Sequence, residues 1–203
     1  MSITFFVTGI GTGIGKTIVS AILTEKLRAD YWKPIQSGDL DQSDSLIIKS
    51  LISNSKTVIH EEAFKLTHPL SPHLSAKLDQ VDINIRKLQT PTTTNDLIIE
   101  GAGGLMVPLN NQELIIDYIK SLNIKVILIS QNYLGSINHT LLSIEALKAR
   151  GIAIKGIIFN GISNIETERY IKQYSDLNIL GYIPELEIIS KESIKQASEY
   201  LEL

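Results

Sequence analysis

The sequence predicts an α/β protein, a doubly wound and mainly parallel sheet flanked by helices, of the type that carries a phosphate-binding loop. Three observations point there. Short runs that are apolar at every position alternate with helix-patterned segments, as strands covered on both faces require. A glycine-rich segment ending in Gly-Lys-Thr follows the first of these runs directly. The alternating order implies right-handed crossovers between parallel strands.

The elements follow in order. Ile3 to Thr8 is a β-branched and aromatic strand. Lys16 to Ala29 places Ile18, Val19, Ile22, Leu23 and Leu27 at helical spacing. A short strand is expected over Asp30 to Lys33. Ser53 to Leu88 carries no readable period, and the polar stretch Thr90 to Asn95 reads as a loop. Further strands are expected at Asp96–Glu100, Lys125–Ser130, Lys155–Asn160 and Ile179–Ile183. Helices are expected at Asn138–Arg150, stopped by Gly151, and at Thr167–Tyr174 and Glu192–Leu201.

Composition bounds the function. The 203 residues are expected to form one domain, residues 1–203. A chain of this size buries roughly 70% of its unfolded surface, enough for a core without staples. Lys plus Arg number 19 and Asp plus Glu 22, a net charge of −3, which does not mark a general nucleic-acid binder. With no cysteine, disulfides, thiolate metal sites and a cysteine nucleophile are excluded. No basic stretch precedes the first apolar run, and no apolar run approaches the ~20 residues of a membrane span. A cytoplasmic enzyme with no membrane or nucleic-acid partner is the expectation. His60, His68, His73 and His139 show no paired metal spacing; His73, after Ser71-Pro72, is the one in a loop worth following.

In such folds ligands sit beyond the carboxyl ends of the strands. After the first strand, Gly9, Gly11, Gly13 and Gly15 let the backbone turn and aim its N–H groups inward, and Lys16-Thr17 open a helix. The lysine would reach β- and γ-phosphates and the threonine hydroxyl a magnesium ion. The loop is a variant. Counting back from Gly15, the usual first glycine position holds Ile10, and Gly9 lies one residue further. The alternative is a glycine-rich turn that binds nothing.

Lys33 precedes Pro34 and is therefore extended at a strand end. Taken alone, a solvated lysine is the simpler reading. Asp44 reads by itself as the cap of a helix from Ser45, with magnesium ligation the alternative. Glu100 ends a buried strand just before Gly101-Ala102-Gly103-Gly104, where a ligand can approach closely and a carboxylate can hold magnesium. Asn160 ends another strand, and reads either as a reader of an adenine edge or as a turn residue before Gly161. Pro184 should stop the last strand.

Together these segments resemble the dethiobiotin synthetase family, ATP-dependent enzymes of the biotin pathway. The matching segments are Thr8–Thr17, Trp32–Gly38, Ser43-Asp44, Ser71-Pro72-His73, Ile99–Gly104, Leu134–His139 and Asn160, in family order and nearly end to end. The resemblance implies that diaminononanoate, carbon dioxide and ATP react with magnesium to give a cyclic urea, ADP and phosphate. A carbamate and a carbamic–phosphoric anhydride are the intermediates. It implies Lys16 and Lys33 as catalytic residues, and Thr17, Asp44 and Glu100 as magnesium ligands. ATP would contact Gly13, Ile14, Gly15, Lys16, Thr17 and Ile18 of the loop, and also Asp44, Glu100, Gly101, Ala102 and Gly103. Its adenine would lie against Asn160, Gly161, Ile183, Pro184 and Glu185. The substrate would meet Thr12 and Ser37, and its carboxylate would meet Gly135, Ser136, Ile137 and Asn138. In the family that last segment comes from the neighbouring subunit, so a homodimer with the substrate site at its interface is implied.

There are departures. Family acids in the loop are replaced by Gly11 and Gly13, which bears on rate and nucleotide preference more than on reaction type. The family's Asn-Asp pair is Asn160-Gly161, which relaxes the expected preference for ATP. Two other classes of protein share a phosphate loop of this kind. Ligases that share the loop bring a glutaminase domain with a catalytic cysteine, and these 203 residues hold none. Nucleotide switches of the chromosome-partition or septum-placement type carry an early-loop lysine. Here those positions are Ile10 and Gly11, and the segment Ser198–Leu203 is acidic rather than basic.

Overall fold

The structure is a computed structural model that describes residues 2–203. In chain order the elements are β1 (Thr4–Gly9), α1 (Lys16–Leu27), β2 (Asp30–Trp32), β3 (Ile35–Ser37), α2 (Asp44–Leu51), β4 (Ile59–His60), β5 (Phe64–Leu66) and α3 (Pro72–Leu78). Then follow β6 (Leu97–Gly104), α4 (Ile115–Leu122), β7 (Lys125–Gln131), α5 (Ser136–Ala149), β8 (Ile154–Asn160), α6 (Ile165–Ser175), β9 (Ile179–Ile183) and α7 (Lys191–Ala197). Seven strands form one sheet in the order β4-β2-β6-β1-β7-β8-β9, and β3 pairs with β5 in a small second sheet. Every strand pairing is parallel. The chain winds to one side of β1 for β2 and β4 and to the other for β7, β8 and β9, so the order reverses around β1. That reversal is where a ligand crevice opens in this class of sheet.

Both faces of the sheet are covered, as the uninterrupted apolar runs require. Phe5, Val7, Ile98, Ile127 and Ile129 face a core completed by Val19, Ile22 and Leu23 of α1 and Ile194 of α7. Their neighbours Phe6, Leu97, Ile99 and Val126 face the opposite core with Ile116 and Ile119 of α4 and Leu147 of α5. Alternate residues of one strand thus enter different cores.

Several boundaries differ from the sequence expectation. α1 stops at Leu27 rather than Ala29, because Arg28 takes the left-handed conformation (φ 50°) and its N–H turns back to Glu25 O. α5 starts at Ser136 rather than Asn138, from Gly135 at φ 99°. α7 ends at Ala197 and gives way to a 3₁₀ turn. β2 ends at Trp32, so Lys33 lies just past the strand. β6 runs on through Gly104, so the glycines expected as a loop are strand residues. Its pairing with β1 slips between Val7↔Glu100 and Gly9↔Gly104, a bulge in β6 that begins at Glu100. The unreadable stretch 53–88 contains β4, β5, α3 and a 3₁₀ turn, elements too short to show a period. α4 escaped the reading although Ile115, Ile116, Tyr118 and Ile119 bury one side of it.

Candidate active site

The phosphate loop links β1 to α1 as expected. Gly13 and Gly15 have φ 74° and 84°, a region that a side chain disfavours. A Cβ on Gly15 would also lie 2.2 Å from Asn160 Nδ2. Gly15 caps α1 without a side-chain bond, which leaves the first-turn N–H groups open to an anion. Lys16 curls back and donates from Nζ to Gly11 O at 2.7 Å. Burial lowers its ammonium to about 8, against the attraction of Glu100 and Asp44.

The centre of the site is a charged cluster beside this loop. Lys33 Nζ lies 2.5 Å from Asp44 Oδ2 and 3.0 Å from Glu100 Oε1, and it also donates to Gly101 O at 3.3 Å. Thr17 Oγ1 lies 2.8 Å from Asp44 Oδ1 and 3.2 Å from Glu100 Oε1. Lys33 is 4% exposed and Glu100 1%, so the solvated-lysine reading is corrected. Burial works against the charged form of Lys33, and Glu100 and Asp44 outweigh it, holding its ammonium above the usual lysine value. Burial likewise opposes ionisation of Asp44, yet Lys33 and Thr17 keep its carboxyl below the usual range.

The cap reading of Asp44 is also corrected. Ser43 is the N-cap of α2, its Oγ accepting from Leu46 N at 3.4 Å, and Asp44 is the first helical residue. Ser43 in turn donates to Glu62 Oε1 at 3.1 Å, and Asp44 N donates to Gln36 Oε1 at 3.3 Å. These bonds orient the start of α2 and hence the carboxylate.

The second oxygen of Glu100 has a partner that the sequence did not announce. Tyr31 of β2 donates its phenol to Glu100 Oε2 at 2.9 Å, with the tyrosine fully buried. Burial and the nearby Glu100 push that phenol well above its ordinary pKa, so it stays a donor.

Thr17, Asp44 and Glu100 bring one hydroxyl and two carboxylates together, three hard oxygen donors that fit magnesium. Among the described residues no group of three or more His, Asp or Glu side chains could hold a metal. His73 bonds to Ser71 Oγ through Nδ1 at 3.0 Å.

A groove of about 320 Å³ runs from the phosphate loop past Gly13, Gly15 and Ile18 to Asn160, Gly161, Pro184 and Glu185. It collects most of the residues expected around adenine and adds Gln131, Asn132, Ile162, Leu186 and Ile189, which the sequence reading missed. Those five belong to strand ends and loops with no motif of their own. Ile183 lies 1% exposed beneath the groove, its carbonyl accepting from Gly161 N at 2.8 Å. Asn160 donates from Nδ2 to Ile14 O at 2.9 Å. One amide hydrogen is therefore spent on the phosphate loop, leaving the other and Oδ1 for a ligand. Ile14 itself is buried beneath the loop.

Ser37 Oγ is buried without a protein partner. Thr12 sits at the exposed tip of the loop, 3.4 Å from where a Cβ on Gly103 would lie. Gly104 packs 3.6 Å, measured in the same way, from Gly11 Cα. Gly101 and Ala102 extend β6 beyond Glu100. Gly135, Ser136, Ile137 and Asn138 form the start of α5, next to a fully exposed Leu134. No hydrogen bond or ion pair joins them to Lys33, Ser37 or the phosphate loop among the described residues.

An AAA domain family model matches residues 3–193. The ATP-dependent dethiobiotin synthetase BioD of Christiangramia forsetii is 51% identical over 195 residues, covering 96% of this chain and 94% of its own length. The enzyme of the same name from Cytophaga hutchinsonii is 48% identical over 191 residues, covering 94% and 92%. Among solved structures, a ParA family ATPase from Chlorobium tepidum superposes with a TM-score of 0.61 at 16% identity, over 98% of this chain and 90% of that one. The septum site-determining protein MinD from Pyrococcus horikoshii gives 0.60 at 18% identity, over 97% and 86%. At such identities the structural likeness speaks for the fold alone.

Proposed function

This chain belongs to the ATP-dependent dethiobiotin synthetase family, and from that premise we propose how its residues share the reaction. One amine of diaminononanoate takes up carbon dioxide as a carbamate. The carbamate oxygen attacks the γ-phosphorus of ATP, ADP leaves, and a carbamic–phosphoric anhydride remains. The second amine attacks the anhydride carbonyl, expels phosphate and closes the cyclic urea.

Phosphoryl transfer is mostly positioning and charge neutralisation. Lys16 would release Gly11 O and turn to the β- and γ-phosphates. Lys33 would meet the γ-phosphate and the carbamate, its charge maintained by the same carboxylates that now pair with it. Magnesium, held by Thr17, Asp44 and Glu100, would supply further neutralisation of the phosphates. The unpartnered Ser37 hydroxyl would bond the amine or carbamate end of the substrate, which Thr12 of the loop would also meet. Adenine would occupy the groove at Asn160, Gly161, Pro184 and Glu185. The amides opening α5 in a second copy would receive the substrate carboxylate, so the working unit is a homodimer, acting in the cytoplasm. Among the described residues no helix is long and apolar enough to cross a membrane.

The observation that carries this reading is the convergence of Lys33, Thr17, Asp44 and Glu100 beside the phosphate loop. The test is turnover with diaminononanoate, magnesium, ATP and carbon-labelled bicarbonate. Label in an acid-stable ring product, dependent on ATP and the diamine, is expected. ATP hydrolysis without labelled product would reject the substrate. Lys33→Ala should lower turnover about 10²- to 10³-fold, the usual loss for an electrostatic stabiliser. Unchanged turnover and unchanged substrate affinity would remove Lys33 from the chemistry.

A further inference from the structure

We propose that Tyr31 is a positioning residue of the nucleotide–metal site, fixing the Glu100 carboxylate so that Oε1 faces the phosphates. This rests on the reading of Glu100 as a magnesium ligand. The two oxygens of Glu100 are divided. Oε1 accepts from Lys33 Nζ and Thr17 Oγ1, while Oε2 accepts from Tyr31 alone. In the proposed reaction Thr17 turns to the metal, and Lys33 shares its ammonium among the carboxylates, the γ-phosphate and the carbamate. The phenol is then the one donor to Glu100 that no ligand competes for.

The setting makes that donor consequential. Glu100 has no exposed side chain, so its oxygens must find their partners in the protein and not in water. It is the last residue of β6 in regular register with β1, opposite Val7, just before the bulge that redirects the strand. Tyr31 comes from the neighbouring strand β2, registered against Ile98, two residues before Glu100. A ligand carboxylate whose outer oxygen is held in this way binds metal in one geometry, and losing such a partner costs about 10- to 100-fold in metal affinity.

The test is Tyr31→Phe, which removes the hydroxyl and keeps the ring. Mn²⁺ serves as the spin probe, titrated against protein saturated with ADP and read by paramagnetic resonance. Mn²⁺ affinity should fall about 10- to 100-fold. ADP affinity without metal, by calorimetry, should stay within about twofold. p-Aminophenylalanine at position 31, which restores an N–H donor, should recover most of the loss. Glu100→Gln is the control. If it weakens Mn²⁺ binding while Tyr31→Phe leaves it unchanged, the positioning role falls and the metal reading stands. Unchanged Mn²⁺ binding in Glu100→Gln would remove Glu100 as a ligand and take the inference with it. Equal loss of ADP affinity with and without metal in Tyr31→Phe, unrescued by the aminophenylalanine, would reduce Tyr31 to packing.

Discussion

Lys16 is held between two opposing influences. Burial disfavours its charge and brings the ammonium to about 8, while Glu100 and Asp44 pull the other way. A bound triphosphate adds negative charge beside it and raises that value. Just above pH 8, the free protein therefore carries a neutral amine and the complex a protonated one. ATP binding should then take up a proton, and affinity should fall as pH rises, by up to about tenfold per unit. Below pH 8 the amine is charged in both states and the dependence disappears. Calorimetry in two buffers of different ionisation enthalpy reads the proton directly; flat affinity from pH 7 to 9.5 with no uptake would contradict it. At this scale the sequence showed which residue types to inspect, because Gly-Lys-Thr and the strand-end acid are local signals. It did not show that Lys33 is buried between two carboxylates, since Asp44 and Glu100 reach it from other segments. Tyr31 was invisible, because a tyrosine within a short strand reads as core.

Two glycines of one element separate conformation from space. Gly15 has φ 84°, and its Cβ would collide with Asn160, whereas Gly11 has nothing within 4 Å of an added Cβ and no positive φ. Gly15→Ala should destabilise the fold by about 1–3 kcal/mol and weaken ATP at least tenfold, since the loop must open to relieve the strain. Gly11→Ala should shift stability by less than about 0.5 kcal/mol and retain ATP binding. Thermal melts with nucleotide titrations on both variants decide this, and equal effects would contradict the loop geometry. The loop was legible because ten contiguous residues specify it. The bulge at Glu100 was not, because a register slip exists only between two strands.

On the scale of the whole molecule, seven parallel strands place the carboxyl ends of β1, β2 and β6 side by side. The cluster of Lys33, Thr17 and Glu100 is a product of that order. No hydrogen bond or ion pair joins the start of α5 to this cluster among the described residues, and Leu134 beside that helix start is wholly exposed. Sedimentation should therefore give twice the 22.5 kDa chain mass, and Leu134→Glu should shift the protein toward monomer with loss of turnover. A fully active monomer would refute the shared site.

The sequence by itself determined strands β1, β2, β6, β7, β8 and β9 with helices α1, α5, α6 and α7, the phosphate loop and the family. Each is written in contiguous residues, where period and glycine spacing act locally. The tertiary structure alone decided the site's electrostatics. Lys33 and Glu100 are 67 residues apart, and Thr17 and Glu100 are 83 apart. Their burial, the division of the Glu100 oxygens and the departure of Asn160 toward the loop depend on strands meeting in space, which no local pattern records.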